Sequence, residues 1–187
     1  MNKTLNDYAL KYKTDKSSKG HNYCPTYERF LKHRRAEGLK ILEIGAFRGG
    51  SLRMWQDYFK YGSVQGADFN SKTKTHTKIP IEIGNQGDVE FLHKLGKMGP
   101  WDVIIDDGSH QWDHQILFYE TMWQYLKPGG LMAIEDLHTS YIERYKTPST
   151  VQPAQFFTAV AKELTHQHPT CNPKEMHFSK SLLLMVK

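Results

Sequence analysis

The sequence predicts an α/β fold in which a mostly parallel β-sheet carries helices on both of its faces. Short apolar segments recur along the chain and end at glycine or at an acidic residue, which is typical of buried parallel strands. Segments with the apolar spacing of helices separate them, and this alternation predicts a parallel sheet. The tail MHFSKSLLLMVK predicts two strands joined too tightly for a crossover helix, so this C-terminal hairpin is expected to be antiparallel.

The first half of the chain contains two predicted helices before the first strand. Pro25 fits the first turn of the second helix. The following helix is indicated by apolar residues at Leu52, Trp55 and Tyr58, which fall on one helical face. The predicted elements, in order, are helices at 4–12 and 25–36, a strand at 39–45, a helix at 50–60 and a strand at 63–69.

The second half continues the alternation. The segment 127–130, KPGG, predicts a helix stop and a turn. The elements are a strand at 79–83, a helix at 88–97, a strand at 101–106, a helix at 113–126, a strand at 131–135 and a helix at 152–166. We expect a single domain over 1–187, with a helical cap at 1–37 and an α/β core at 38–187.

Composition and charge exclude several functional classes. No apolar run approaches the roughly 20 residues that cross a bilayer, so no membrane partner is expected. The two cysteines, Cys24 and Cys171, are too few for a disulfide framework, which favours a cytoplasmic protein. The net charge of +5 is scattered, and its densest patch, 32–35, is short. Nucleic acid is therefore not expected as a partner, because long basic blocks usually mark such surfaces.

Ligands of parallel α/β sheets bind at the carboxyl ends of the strands, so the residues there are candidates for function. Glycines such as Gly45 let the backbone approach a ligand and turn into a helix. Glu43 suits a ligand with an ammonium group, and Asp68 suits the two hydroxyls of a ribose. The pattern indicates an adenosine-containing ligand, and these residues leave NAD open as an alternative to S-adenosylmethionine.

The third strand is followed by small polar residues. Gln86 and Gly87 are candidates for contact with an adenine edge. The alternative is that the segment only prepares a helix cap at Asp88, and the sequence leaves both interpretations open.

Two neighbouring strands each end in a pair of carboxylates, Asp106-Asp107 and Glu135-Asp136. Like charges packed together are costly unless a cation or hydrogen-bond donors neutralise them. Oxygen-rich clusters suit Mg²⁺, Mn²⁺ or Ca²⁺, although Asp107 and Asp136 can also be simple loop caps. His110 is a candidate general base beside such a metal, with His138 as its competitor.

Four segments carry a resemblance to the macrocin and mycinamicin sugar O-methyltransferases, which are metal-dependent enzymes. They are LKILEIGAFRGGSLRMWQDYF, GNQGDVEFL, WDVIIDDGSHQWDHQ and LKPGGLMAIEDLHTSY. The opening KYKTDKSSKGHNYCPTYERF resembles the cap that precedes the methyltransferase core in that family. The resemblance covers about residues 5–141 and implies a Rossmann-like class I methyltransferase fold.

The resemblance also implies roles for individual residues. It assigns magnesium to Asp107, Glu135 and Asp136, and the catalytic base to His110. The positions around S-adenosylmethionine are then Glu43, Gly45, Ser51, Asp68, Gln86, Gly87 and Asp107. The macrolide enzymes carry a large extra domain before this core, so their acceptor and oligomeric state do not transfer with the resemblance.

The expected function is S-adenosylmethionine- and Mg²⁺-dependent O-methylation of a sugar hydroxyl on a natural product or glycan, as in antibiotic biosynthesis. The alternatives are an NAD-dependent oxidoreductase and a relative of the cephalosporin hydroxylases with a non-sugar substrate. The expected partner is a small-molecule hydroxyl acceptor, and a homo-oligomer is left open. Residues 140–155, with Pro148 and Pro153, are a candidate lid over the acceptor.

Overall fold

A computed structural model describes residues 3–148, 151–165 and 173–187. The chain divides after Gly84 into two compact units, 1–84 and 85–187. The domain boundaries predicted from the sequence, 1–37 and 38–187, stay a prediction. Residues 149–150 of the candidate lid, and Cys171, lie outside the described part of the chain.

The first unit combines helices with three parallel strands. Its elements are α1 (Leu5–Tyr12), α2 (Cys24–Leu31), β1 (Lys40–Ile44), α3 (Gly50–Tyr58), β2 (Ser63–Asp68) and β3 (Ile81–Ile83). Strand β2 pairs in parallel with both β1 and β3, which confirms the predicted parallel pairing within this unit. The register places Glu43 opposite Gly66 and Asp68 opposite Ile83, so the polar strand ends fall at the same edge.

Local sequence explains how the helices of this unit begin and what they bury. A capping box between Thr4 and Asp7 starts α1, because each side chain accepts a hydrogen bond from the other's backbone N–H. Helix α2 ends earlier than predicted and continues as a 3₁₀ turn over Lys32–Arg34. The aromatic face of α3 is buried, with Trp55 edge-on to Tyr27 at a centroid distance of 5.0 Å.

The second unit contains the remaining strands. Its elements are α4 (Val89–Lys97), β4 (Trp101–Asp106), α5 (Trp112–Met122), β5 (Leu126–Ile134), α6 (Pro153–Thr165), β6 (Glu175–Ser179) and β7 (Leu182–Val186). Strand β5 runs parallel to β4, whereas β7 is antiparallel to both β5 and β6. The predicted antiparallel hairpin at the C-terminus is therefore confirmed.

Strand β5 starts earlier than the sequence predicts. The predicted turn 127–130 lies inside the strand, which begins at Leu126. The register against β4 shifts between Trp101 and Val103, which accommodates the extra residues as an irregularity in the ladder. Gly129 takes a φ of 74°, a conformation that glycine adopts without a steric penalty.

Two sequence-based expectations about the wider chain can be compared with the structure. Among the described residues, no helix combines the length and the apolar character that crossing a bilayer requires. Cys24, one of the two cysteines judged too few for a disulfide framework, is buried at the start of α2.

Gly96 provides a test of the packing in the second unit. A Cβ at this position would lie 2.2 Å from the ring of Tyr125. Gly96→Ala is expected to lower the free energy of unfolding by about 1–3 kcal/mol, because overpacking outweighs the helix propensity gained from alanine. Urea denaturation measures this change. On a Tyr125→Ala background the same substitution is expected to be neutral or stabilising, and an equal loss on both backgrounds would contradict the packing argument.

Candidate functional site

The glycine-containing loop after β1 is held by the carboxylate at the end of β2. Asp68 accepts hydrogen bonds from the backbone amides of Phe47 and Asn70, both at 2.8 Å. Phe47 has a φ of 44°, a left-handed conformation that favours glycine, although its side chain is exposed. Asp68 therefore fixes this loop in a conformation with an exposed ring. Its predicted contact with a ribose stays a prediction.

Glu43, the predicted partner of a ligand ammonium group, is fully buried next to an ammonium group of the chain itself. Its Oε1 lies 3.2 Å from Nζ of Lys16, whose side chain is also inaccessible to solvent. The indole Nε1 of Trp55 donates to Oε2 of Glu43 at 3.1 Å. A buried carboxylate needs such partners, and Lys16 and Trp55 both belong to the first unit.

The other residues predicted near the cofactor in this unit flank the same loop. Gly45 has a φ of 99°, and Ser51 is buried in the first turn of α3. At Gly50 a Cβ would lie 3.0 Å from the carbonyl oxygen of Tyr12, so the chain after α1 packs closely against the start of α3. The missing side chain of Gly50 therefore makes room for the backbone of Tyr12, a residue of the chain itself.

In the second unit, Asp106 ends β4 and organises the loop that follows. Its Oδ1 accepts from Nε2 of Gln86 at 2.8 Å and from the amide of Gly108 at 3.1 Å. Oε1 of Gln86 accepts in turn from the amide of Ser109 at 2.9 Å. The two adjacent carboxylates therefore have different surroundings. Asp106 faces inward and fixes the loop, whereas Asp107 lies near His110 and Asp136.

The pKa of Asp106 is raised to about 7, mainly by burial and to a smaller extent by the carboxylates of Asp107 and Asp136, whereas the hydrogen-bond donors Gly108 and Gln86 oppose the shift. Its Oδ2 is buried and has no hydrogen-bond partner among the described residues. Asp106 therefore supports the loop through Oδ1.

Gln86 and Gly87 both contact residues of the segment that follows β4. Gln86 is buried, and both ends of its amide are hydrogen-bonded. A Cβ on Gly87 would lie 2.2 Å from Nε2 of His114, and Nδ1 of His114 is 2.8 Å from the hydroxyl of Ser109. Burial lowers the pKa of His114, which favours a neutral ring here. The predicted adenine contacts of Gln86 and Gly87 stay predictions.

Asp107, His110 and Asp136 form a group of ligand atoms that all lie within 4.8 Å of one another. Nε2 of His110 is 3.5 Å from Oδ2 of Asp136, and Nδ1 of His138 is 4.0 Å from Oδ1 of the same carboxylate. His110 is thus nearer than its competitor. Its Nδ1 is buried and has no hydrogen-bond partner in the described structure, so Nε2 is the nitrogen that faces the group.

Glu135, the third predicted metal ligand, is not part of the group that the described residues form. It is buried at the end of β5, where its amide donates to the carbonyl of Asp106 at 2.9 Å. Asp136 differs from it because its φ of 54° turns the chain out of the strand. The assignment of Glu135 to a metal remains a prediction.

Sequence reasoning missed the residues that support the site. Lys16 gave no signal, because lysine is rarely buried. Thr139 and Gln115 contact backbone carbonyls at the end of β5, through bonds of Thr139 to Asp136 and of Gln115 to Glu135. Only the burial of a hydroxyl or amide in the fold reveals such roles.

Curated proteins similar in sequence to this chain are O-methyltransferases. Demethylmacrocin O-methyltransferase from Streptomyces fradiae is 36% identical over 146 residues, which are 73% of this chain and 37% of that enzyme. L-olivosyl-oleandolide 3-O-methyltransferase from Streptomyces antibioticus is 38% identical over 154 residues, which are 78% of this chain and 40% of that enzyme. No family model matches the chain.

A solved structure extends the match to the whole chain. MycE methyltransferase from the mycinamycin biosynthetic pathway, in complex with Mg, SAH and mycinamycin VI, matches with a TM-score of 0.89 at 27% identity. The match covers 100% of this chain and 54% of that chain. This chain is homologous to sugar O-methyltransferases of antibiotic pathways. It has the class I methyltransferase fold predicted from the sequence.

The match covers less than half of each curated relative. The chain spans 37–40% of the length of the curated relatives it matches. A putative caffeoyl-CoA O-methyltransferase from Staphylococcus aureus also matches, with a TM-score of 0.63 at 14% identity, and this likeness shows the fold alone.

The buried pair of Lys16 and Glu43 predicts a large effect on stability. Lys16→Met leaves a buried carboxylate without its ammonium partner, so the free energy of unfolding is expected to fall by about 3–5 kcal/mol. Denaturant titration measures this loss. Lys16→Met combined with Glu43→Gln is expected to be more stable than Lys16→Met alone.

The matched control is Lys11→Met, which removes an exposed ion pair with Asp57 at 2.7 Å. Exposed pairs contribute about 0–1 kcal/mol, so this variant is expected to stay close to wild type. Equal losses for the two lysine variants would show that Lys16 and Glu43 do not form a buried pair.

Gln86→Leu tests whether Gln86 holds the loop after β4. The substitution removes a donor to Asp106 and the acceptor of the Ser109 amide, so the expected loss of stability is about 1–3 kcal/mol. Gln124→Leu is the control, since the side-chain amide of Gln124 donates a single hydrogen bond within the described residues, to the carbonyl of Thr121. Thermal unfolding of both variants gives the comparison, and a Gln86 variant as stable as the control would contradict the assignment.

Proposed function

We propose that this chain is an S-adenosylmethionine- and Mg²⁺-dependent O-methyltransferase that acts on a sugar hydroxyl of a natural product or glycan. The observation that carries the proposal is the group of Asp107, His110 and Asp136, two carboxylates and an imidazole within 4.8 Å. The sugar O-methyltransferases among its homologues support the same reaction class.

The donor chemistry of the group fits a hard divalent cation. Asp107 and Asp136 offer carboxylate oxygens, the ligands that Mg²⁺ and Mn²⁺ prefer. Two carboxylates so close together repel each other unless a cation lies between them. We assign Asp107 and Asp136 as ligands from this geometry, and Glu135 as a third ligand from the family resemblance.

His110 is the proposed general base. Its side chain is 21% exposed, so an acceptor can reach the ring, and Nε2 faces the two aspartates. A divalent cation in this position, when bound, lowers the pKa of a hydroxyl that it coordinates. Nε2 of His110 accepts the hydroxyl proton, and the acceptor oxygen forms a bond to the methyl carbon as the carbon–sulfur bond breaks. The products are a methyl ether and S-adenosylhomocysteine.

The proposed contacts with S-adenosylmethionine follow the strand ends. In the first unit they are Glu43, Gly45, Ser51 and Asp68, and in the second unit they are Gln86, Gly87 and Asp107. Because Gln86 and Glu43 also hold their own units together, we expect substitutions there to change stability as well as binding. We further propose a cytoplasmic location, one methyltransferase domain over 1–187, and a small-molecule acceptor.

Calorimetric titration of the purified protein tests the cofactor class. S-adenosylhomocysteine is expected to bind, whereas NADH is not. Tight NADH binding without S-adenosylhomocysteine binding would overturn the proposal in favour of an oxidoreductase.

His110→Ala tests the base. The variant is expected to bind S-adenosylhomocysteine as wild type does, yet to lose at least about 100-fold in methyl transfer, since general base catalysis typically contributes 10²–10⁴-fold. The assay is radiolabelled methyl transfer to deoxysugar glycosides, demethylmacrocin among them. His138→Ala is the matched control, and EDTA is expected to abolish activity that added Mg²⁺ restores. Full turnover by His110→Ala would remove His110 from the mechanism.

A further inference from the structure

The metal group, which is the cluster of Asp107, His110 and Asp136, contains two residues with an unusual backbone conformation. His110 has a φ of 58° and Asp136 a φ of 54°, both in the left-handed region. Residues other than glycine adopt this region at a steric cost, and they stay there only when surrounding contacts determine it. Contacts that hold these two backbones therefore also determine where the imidazole and the carboxylate point.

One buried side chain contacts the backbone of both residues. The hydroxyl of Thr139 lies 2.8 Å from the carbonyl oxygen of Asp136 and 3.3 Å from that of His110. The amide of Thr139 also donates to the carbonyl of Asp136, at 2.9 Å. Thr139 is only 2% exposed, so water does not compete for these bonds.

Trp112 holds Thr139 from the other side. Its indole Nε1 donates to the carbonyl oxygen of Thr139 at 3.0 Å, and the ring is buried. Trp112 begins α5, directly after the loop that carries Asp107 and His110. The two loops of the metal group are thus tied together by hydrogen bonds through one threonine.

We infer that Thr139 is a positioning residue that sets the spacing of the metal group, so that its hydroxyl is required for metal affinity. The inference rests on the proposed function, because it assigns Thr139 to the metal site proposed there. The single hydroxyl proton is shared between the carbonyl oxygens of Asp136 and His110, with the shorter contact to Asp136. The side chains of these two residues are 3.5 Å apart at Nε2 and Oδ2. Without the hydroxyl, the two loops separate and the ligand atoms lose their common centre.

Thr139→Val replaces the hydroxyl with a methyl group of similar size, whereas Thr139→Ser keeps the hydroxyl and removes the methyl group. Mutating a group that hydrogen-bonds to a metal ligand typically changes metal affinity by about 10–100-fold. Thr139→Val is therefore expected to raise the dissociation constant for Mn²⁺ at least about 10-fold, and Thr139→Ser to stay within about threefold of wild type. Electron paramagnetic resonance of free Mn²⁺ measures these constants.

Thr73→Val is the matched control. Thr73 is also buried, and its hydroxyl donates to the carbonyl of Asn70, three residues earlier, at 2.7 Å. The two valine variants lose comparable hydrogen bonds, so both are expected to lose a similar amount of stability. Only Thr139→Val is expected to lose Mn²⁺ affinity, while S-adenosylhomocysteine affinity stays within about twofold of wild type in both.

The outcomes separate this inference from the proposed function. Wild-type Mn²⁺ affinity in Thr139→Val, an equal loss in Thr73→Val, or an equal loss in Thr139→Ser would overturn the positioning role while the metal site stands. A wild-type protein that binds no Mn²⁺ overturns the metal site itself and the role of Thr139 with it. If Thr139→Val does not fold, Trp112→Phe removes the indole donor together with part of the buried ring, and it is expected to weaken Mn²⁺ binding about threefold or more.

Discussion

The hydrogen bonds of the buried carboxyl group at the end of β4 determine the shape of the loop that carries the candidate chemistry. Asp106 accepts hydrogen bonds from the amide of Gly108 and from the side chain of Gln86, and Gln86 accepts one from the amide of Ser109. These bonds therefore stabilise the observed path of the loop that bears Asp107 and His110. Burial and neighbouring carboxylates raise the pKa of Asp106 to about 7, so the arrangement costs free energy that the packing of β4 must supply.

The two units stabilise buried carboxyl groups in different ways. In the first unit, Glu43 has an ammonium group, Lys16, and an indole donor, Trp55. In the second unit, Asp106 has amide donors, and no ion pair to it is found among the described residues. In the first arrangement, Coulomb attraction to an ammonium group offsets the desolvation of the carboxylate. In the second, burial raises the pKa of the carboxyl group.

The sequence predicted the fold and the composition of the candidate site for physical reasons that act locally. Alternation of apolar strands with amphipathic helices is visible along the chain, and the tight C-terminal hairpin excludes a crossover helix. Asp107, His110 and Asp136 follow strands that the apolar pattern identifies, so their proximity at one sheet edge was predictable. The predicted start of β5 was wrong because the segment KPGG is typical of a turn. In the structure this segment lies inside β5, and the register between β4 and β5 shifts beside it.

By itself, the sequence determined the fold class, the strand ends and the residue types that favour a metal and an adenosine-containing ligand. Only the tertiary structure decided which of two adjacent carboxylates supports the loop and which joins the candidate metal site. Asp106 and Asp107 are neighbours in sequence, yet one turns inward to Gln86 and the other joins His110 and Asp136. The left-handed backbone of His110 and Asp136, and the contacts of Thr139 with both, likewise depend on residues far apart in the chain, so no local pattern encodes them.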